Sequence, residues 1–337
     1  MGKRKIYVTD YFRRQINVNG KLLGKNIEVI LLQELDEKKL FPQIADADAI
    51  IVDKTPLTGY TLSRAPKCKI IVRLGVGYDN VDLKAAGENG IYVCNVPDFC
   101  TPEVAEHAAL LMLALLRNFS SYANALTGGK TENWSPLIAP DTVQVRGKTA
   151  GIVGLGRIGS AFAAICRGLG MQIIYYDPHV PKNEGKKFGA ARAASLKELC
   201  QKSDVVSLHV PLNHQTQHLA GKKFFRDLKR GSVLINTSRG GVVDTNALQN
   251  ALESGIVSKA GLDVLEKEPI DFSHPLFAKW LSDKELQRRL IITPHAAFYS
   301  LESTEEIKRK MIGNIQRVFE GKKPVNCVNL QYYKEKK

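Results

Sequence analysis

The chain has 337 residues, 44% of them hydrophobic and 24% charged, a soluble globular composition long enough for two ordinary domains. Its formal charge of +14 is spread in short clusters (Lys186–Lys187, Arg288–Arg289, Lys308–Lys310, Lys334–Lys337), with no helix-turn-helix, zinc or RNP-type pattern. No nucleic-acid partner is therefore expected, and the positive field suits anionic substrates and cofactors. No apolar run reaches the ~18–20 residues of a membrane span, so no membrane partner is expected either.

The N-terminus, MGKRKIYVTD, reads as a first strand and not as a signal peptide. Strands are predicted at Ile6–Thr9, Ile27–Leu31, Ala49–Val52, Ile70–Arg73 and Ile91–Asn95. Asn95–Pro102 then breaks the pattern and opens a helix at Glu103–Arg117. The polar stretch Asn118–Pro140 is a candidate dimer arm. Further strands are predicted at Ala150–Val153, Gln172–Tyr176, Val205–His209, Ser232–Asn236, Ala260–Val264 and Leu290–Thr293, and a long helix at Ser300–Glu320. Most strand candidates are continuous apolar runs, as parallel strands covered on both faces require. Alternation with amphipathic segments makes the class α/β.

The last strand-like piece, Pro324–Val328, is too short for a domain of its own. The economical reading returns the tail to the first domain. Residues 1–102 and 299–337 then form one domain and residues 103–298 are inserted into it. Two crossing helices would form a hinge, with a ligand cleft between the domains. Six cysteines (68, 94, 100, 166, 200 and 327) lack metal-ligand or CxxC spacing. They are expected to be buried free thiols in a reducing cytoplasm, with no metal site.

The densest signal is GIVGLGRIGSAFAAICRGLGMQIIYYD, residues 151–177. An apolar run leads into Gly154, Gly156 and Gly159. A helix starts at Arg157 and Ile158, and a second apolar run ends in Asp177. The glycines allow a tight turn and a close backbone approach, and the helix N-terminus favours a pyrophosphate. Asp177 stands at the ~20-residue spacing from which an acid reaches the ribose hydroxyls. No Arg or Lys adjoins Asp177 in sequence.

Three polar residues lie past the C-terminal ends of later strands, where the ligand crevice of an open α/β sheet forms. Arg239 follows Ile235–Asn236 within NTSRGG. Glu268 ends GLDVLEKE, and His295 follows Thr293–Pro294. A guanidinium offers a fixed fork for a carboxylate or carbonyl. A histidine supplies a proton near neutral pH, and a carboxylate beside it orients the ring and stabilises the imidazolium.

At this point the chain resembles the D-isomer-specific 2-hydroxyacid dehydrogenase family. The residues that carry the resemblance are VRLGVGYDNVDL (72–83), NVPDFCTPEVAEHA (95–108), GIVGLGRIG (151–159), NTSRGGVVD (236–244), GLDVLEKEP (261–269) and TPHAAFYS (293–300). HAAFYS and PVNCVN look most like the branch of D-lactate dehydrogenases and C-terminal-binding proteins. The resemblance implies a doubly wound Rossmann sheet that binds NAD, inserted into a smaller flavodoxin-like substrate domain.

It implies interconversion of a 2-oxo acid and a D-2-hydroxy acid. Arg239 would bind substrate, and His295 would act as acid/base with Glu268 as its partner. Val76 and Gly77 would hold the substrate carboxylate through backbone N–H groups, with Tyr78 and Phe298 lining the pocket. His209, Val210 and Pro211 would border the adenine side. Thr237, Ser238 and Asp263 would lie near the cofactor, Asp263 at the nicotinamide carboxamide. A homodimer is expected. The alternative is an NAD-sensing scaffold resembling the C-terminal-binding proteins, although Phe298 stands where those proteins typically carry Trp.

Overall fold

The computed structural model describes residues 2–10, 26–127, 129 and 131–335. The chain divides into two compact units, Met1–Cys100 with Tyr299–Lys337, and Thr101–Phe298.

The first unit is built on β1 (Arg4–Val8), β2 (Ile27–Leu31), β3 (Ala49–Val52), β4 (Ile70–Arg73) and β5 (Tyr92–Cys94). Every pairing is parallel, in the order β2-β1-β3-β4-β5, which is the flavodoxin-like winding. All four residues of β3, Ala-Ile-Ile-Val, are buried. β-Branched side chains suit the pleat, and burial on both faces explains the unbroken apolar run. The helix Leu301–Phe319 also belongs to this unit, and Ser300 starts it with a capping box shared with Ser303.

The second unit is built on β6 (Thr149–Val153), β7 (Gln172–Tyr176), β8 (Ala191–Arg192), β9 (Val205–Leu208), β10 (Ser232–Asn236), β11 (Val257–Leu262) and β12 (Leu290–Ile292). Its parallel sheet runs β12-β11-β10-β9-β6-β7-β8. The order reverses at β6, the switch point of a doubly wound Rossmann sheet, and β6 leads into the glycine turn. The helices Thr101–Leu116 and Arg157–Gly168 cover one face through Ala108, Leu111, Met112, Phe162 and Ala163.

Three differences from the sequence expectation have physical causes. β11 starts at Val257, three residues before the predicted Ala260, because Lys259 disguises a buried strand position. Its ammonium is buried and donates to Leu115 O at 3.0 Å and Asn118 Oδ1 at 2.6 Å, which caps the end of the helix Thr101–Leu116. β8 was not predicted, being only two residues long. Pro324–Val328 is not a strand. It makes one antiparallel bridge, Cys94 to Cys327, after which the Asn329 side chain takes over the pairing. Asn329 Oδ1 accepts from Val93 N at 2.8 Å, and Nδ2 donates to Ile91 O at 2.9 Å.

Asn329 is fully buried, so its truncation leaves an N–H and a carbonyl without partners. Each such group costs roughly 1–3 kcal/mol. We expect Asn329→Ala to lower unfolding free energy by about 3 kcal/mol in urea denaturation, with little change for the exposed control Gln331→Ala.

Candidate active site

The glycine turn after β6 is set by backbone crossings. Gly154 has φ +90°, and a Cβ there would lie 2.5 Å from His209 O. A Cβ on Gly159 would lie 2.1 Å from Gly154 O, so the helix start packs directly on the turn. Gly156 differs. It is exposed, and a Cβ on it would meet no atom within 4 Å. Neither internal packing nor backbone angle requires glycine there, while a ligand approaching the main chain does. Arg157 and Ile158 follow as the first residues of the helix, with Arg157 exposed.

Asp177 is 9% exposed at the end of β7. Its Oδ2 accepts from Leu155 N and its Oδ1 from His179 N, both at 2.8 Å. Each oxygen keeps a further lone pair. Sequence reading found no cation beside this acid. The structure brings one from β8: Arg192 donates to Asp177 O at 2.8 Å and to Val180 O at 3.2 Å. A two-residue strand gives no periodic signal, so this neighbour was not legible.

His209, Val210 and Pro211 follow β9. The Nε2 of His209 lies 2.9 Å from Ser207 Oγ, and burial pushes the imidazole down to about 3, so the ring is neutral. His209 Nδ1 is buried without a hydrogen-bond partner among the described residues, and so is Thr237 Oγ1. A buried polar atom without a partner calls for one, which a bound ligand or water can supply. With the open space at Gly156, they make the residues after β6, β9 and β10 fit a dinucleotide.

The turn after β10 is braced by Asn236. Its Oδ1 accepts from Ser238 N at 3.0 Å and Ser238 Oγ at 2.8 Å, and its Nδ2 donates to Arg239 O at 2.9 Å. A Cβ on Gly240 would lie 1.8 Å from Leu265 O, so the loops after β10 and β11 cross in contact. That crossing carries Arg239 beside the loop holding Glu268. Glu268 Oε1 accepts from Leu265 N at 3.2 Å, and Oε2 lies 2.7 Å from His295 Nδ1. The two side chains are 24% and 25% exposed. Phe298 stands edge-on to His295, with ring centroids 6.3 Å apart.

Asp263 lies between these loops and is buried. Its Oδ1 accepts from Thr293 Oγ1 at 2.6 Å and Ala296 N at 2.9 Å, and its Oδ2 from Ala297 N at 2.9 Å. His295 N donates to Asp263 O at 2.8 Å. His295 itself is held at φ +53°, a strained conformation for a non-glycine residue. His107 Nε2 lies 2.9 Å from Thr293 Oγ1. The threonine proton serves the carboxylate, so His107 must donate, which places its proton on Nε2. Sequence reasoning gave His107 and Thr293 no role. Both stand within quoted motifs, but their partners lie far away in sequence.

Val76, Gly77 and Tyr78 belong to the other unit, in the loop after β4. Asn95 Nδ2 donates to Val76 O at 2.6 Å, which fixes the loop. Among the described residues, none accepts from the N–H of Val76 or Gly77. Two adjacent free donors suit a carboxylate. No group of three or more His, Cys, Asp or Glu among the described residues could hold a metal ion. No helix among them is long and apolar enough to cross a membrane.

With this geometry in hand, the comparisons identify the class. Residues 109–297 match the family described as D-isomer specific 2-hydroxyacid dehydrogenase, NAD binding domain. The chain is 37% identical to a glyoxylate reductase of Korarchaeum cryptofilum, over 88% of this chain and 87% of that one. It is 36% identical to the glyoxylate reductase of Thermococcus litoralis, over 97% of each. A D-lactate dehydrogenase of Aquifex aeolicus, solved with NAD and lactic acid, superposes with a TM-score of 0.80 at 29% identity, over 97% of each chain. The chain belongs to the D-isomer-specific 2-hydroxyacid dehydrogenase family, NAD-binding oxidoreductases that act on CH–OH groups.

Asp263→Asn removes the charge and turns one acceptor oxygen into a donor against N–H or O–H groups. Hydrogen bonds to a charged group are worth roughly 1.5–3 kcal/mol. We expect a loss of at least about 2 kcal/mol in denaturant unfolding. Turnover should fall together with stability, because the His295 turn hangs on this carboxylate.

Proposed function

We propose that this protein reduces a small 2-oxo acid to its D-2-hydroxy acid with NADH, and runs the reverse reaction with NAD. The observation that carries the reading is the 2.7 Å pair of His295 Nδ1 and Glu268 Oε2, on a loop in contact with the Arg239 turn. Bound NADH supplies the hydride. Gly154, Gly156, Arg157, Ile158 and Gly159 receive the pyrophosphate, and Asp177 the ribose. His209, Val210 and Pro211 border the adenine side, while Thr237, Ser238 and Asp263 flank the nicotinamide end.

Arg239 holds the substrate and polarises its carbonyl through a planar, permanently charged fork. His295 turns its free Nε2 toward the substrate, since Nδ1 is taken by Glu268, and gives a proton to the forming alkoxide. Glu268 fixes the ring and compensates its charge in reduction. In the first unit Val76 and Gly77 offer their N–H groups to a carboxylate and Tyr78 an aromatic ring to the substrate; in the second, Phe298 offers an apolar ring beside His295. The names of the relatives favour glyoxylate as the first substrate to try, and the lactate-bound neighbour favours pyruvate next. The relatives reported are named as reductases and dehydrogenases, and nothing in them favours the scaffold reading.

We also propose a homodimer. The large apolar side chains Trp134, Leu137 and Phe119 are 82%, 77% and 64% exposed on the candidate arm. Apolar exposure of this kind marks association surfaces. The free state of the cysteines suits a reducing cytoplasm.

The test is NADH oxidation against a panel of 2-oxo acids, beginning with glyoxylate and pyruvate. A positioned general acid contributes about 10²–10⁴-fold, so His295→Ala should lose at least about 100-fold in kcat on the best acid. Arg239→Lys should retain more activity than Arg239→Ala, with NADH affinity within a few-fold of wild type in both. Glu268→Gln keeps a hydrogen bond but loses the charge, so its reduction rate should fall between those of wild type and His295→Ala. Full turnover in Arg239→Ala, or no oxo acid reduced by the wild-type protein, would overturn the reading.

Coenzyme choice follows from Asp177. Its carboxylate accepts from hydroxyls and repels a 2′-phosphate, and Arg192 is already engaged by two carbonyl oxygens. We expect kcat/KM for NADH to exceed that for NADPH by at least roughly tenfold, or about 1.4 kcal/mol. Asp177→Ser should narrow the ratio.

A further inference from the structure

Two cysteines that the oxidoreductase chemistry does not use face each other across a single β-bridge. Cys94 ends β5, and Cys327 lies in the C-terminal segment. The bridge is antiparallel. Its two backbone hydrogen bonds flank the pair: Val328 N donates to Val93 O at 2.8 Å, and Asn95 N to Asn326 O at 3.4 Å. Cys94 and Cys327 therefore occupy a non-hydrogen-bonded site of the ladder. There the Cα atoms approach to about 4.5 Å and the side chains lie closest. A disulfide accepts Cα separations of about 4.4–6.8 Å, so this site meets its geometric demand without backbone movement. Both are free thiols, Cys94 fully buried and Cys327 partly exposed.

We propose that Cys94 and Cys327 form a peroxide-oxidisable dithiol, a modification site that closes to an intrachain disulfide and ties the C-terminal segment to β5.

The pair is asymmetric in the way such chemistry requires. A hydrogen bond from the Cys94 thiol, assisted by the backbone N–H groups of Asn329 and Val93, brings Cys327 down to about 7 against the opposing effect of burial. The same hydrogen bond, then burial, pushes Cys94 up, so it keeps its proton. Cys327 also lies 3.2 Å from Asn329 Oδ1, which accepts from its thiol before ionisation. The reactive thiolate is thus the one solvent can reach, and the resolving thiol sits behind it.

The oxidation balances with hydrogen peroxide as oxidant. The Cys327 thiolate attacks one peroxide oxygen. An S–O bond forms, the O–O bond breaks, and the departing hydroxide takes up the proton that Cys327 released, giving water. The Cys94 sulfur then attacks the sulfenic sulfur of Cys327. The S–S bond forms, the S–O bond breaks, and hydroxide leaves with the Cys94 proton as a second water. The two thiols together lose two electrons, and the peroxide gains them.

The experiment treats the full-length protein with a small excess of hydrogen peroxide, alkylates the remaining thiols in denaturant, and maps tryptic peptides by mass spectrometry. The expected result is a peptide containing Cys94 joined to one containing Cys327, with two fewer titratable thiols. Cys94 and Cys100 share a tryptic peptide, so Cys100→Ser must keep the link. Cys327→Ser, at the partly exposed position, must lose it. Dithiothreitol should restore both thiols. Three results would overturn the proposal: Cys327 over-oxidised to sulfinic acid with Cys94 still alkylatable, Cys327 joined to Cys100, or neither thiol touched while other cysteines oxidise.

Discussion

The site hangs on one buried carboxylate. Asp263 accepts three hydrogen bonds, from Thr293 Oγ1, Ala296 N and Ala297 N, and its own carbonyl accepts from His295 N. A buried charge without partners is expensive, so it tolerates only the loop conformation that supplies all its donors. That conformation places His295 at φ +53°, and local preference would not hold it there. The strain is offset by the clasp, and the imidazole gains a fixed direction in return. His107 and Thr293 extend the clasp back to the helix Thr101–Leu116, so the His295 turn is tied to a helix of its own unit.

Close loop crossings do the remaining positioning. At three tight points a glycine removes the atom that would keep two backbone segments apart. Gly154 lies under His209 O, Gly159 against Gly154 O, and Gly240 against Leu265 O. The last of these matters most for chemistry. It sets the Arg239 turn against the segment that carries Glu268, so cation and carboxylate come from neighbouring strands without touching each other in sequence. Gly156, in the same turn as Gly154 and Gly159, meets no such contact, and a Cβ on it would stand in open space.

The strands were legible because parallel strands buried on both faces write themselves as unbroken apolar runs. Ala49–Val52, Ile70–Arg73 and Ser232–Asn236 needed nothing else. The positions of Arg239, Glu268 and His295 were legible because each follows such a run, after β10, β11 and β12. What stayed hidden was side-chain substitution for backbone. Asn329 replaces a strand's ladder with its amide, so Pro324–Val328 looks like a strand and is not one. Lys259 is a cation inside a strand, intelligible only once its partners Leu115 O, Asn118 and Asp141 are known. The His107–Thr293–Asp263 chain likewise joins residues 186 and 30 positions apart, which no local pattern links.

Arg192 shows how much the manner of pairing matters. A guanidinium next to the acid at the end of β7 could pair with its carboxylate and cancel the charge. Here it does not bind the carboxylate. It binds the carbonyl oxygens of Asp177 and Val180, while the carboxylate is held by the N–H groups of Leu155 and His179. Backbone N–H groups are neutral donors, so they hold the carboxylate in place without supplying a countercharge. The cation meanwhile uses its donors to hold the turn that follows Asp177. One arginine thus fixes the backbone that follows the acid, and leaves the carboxylate to its N–H donors.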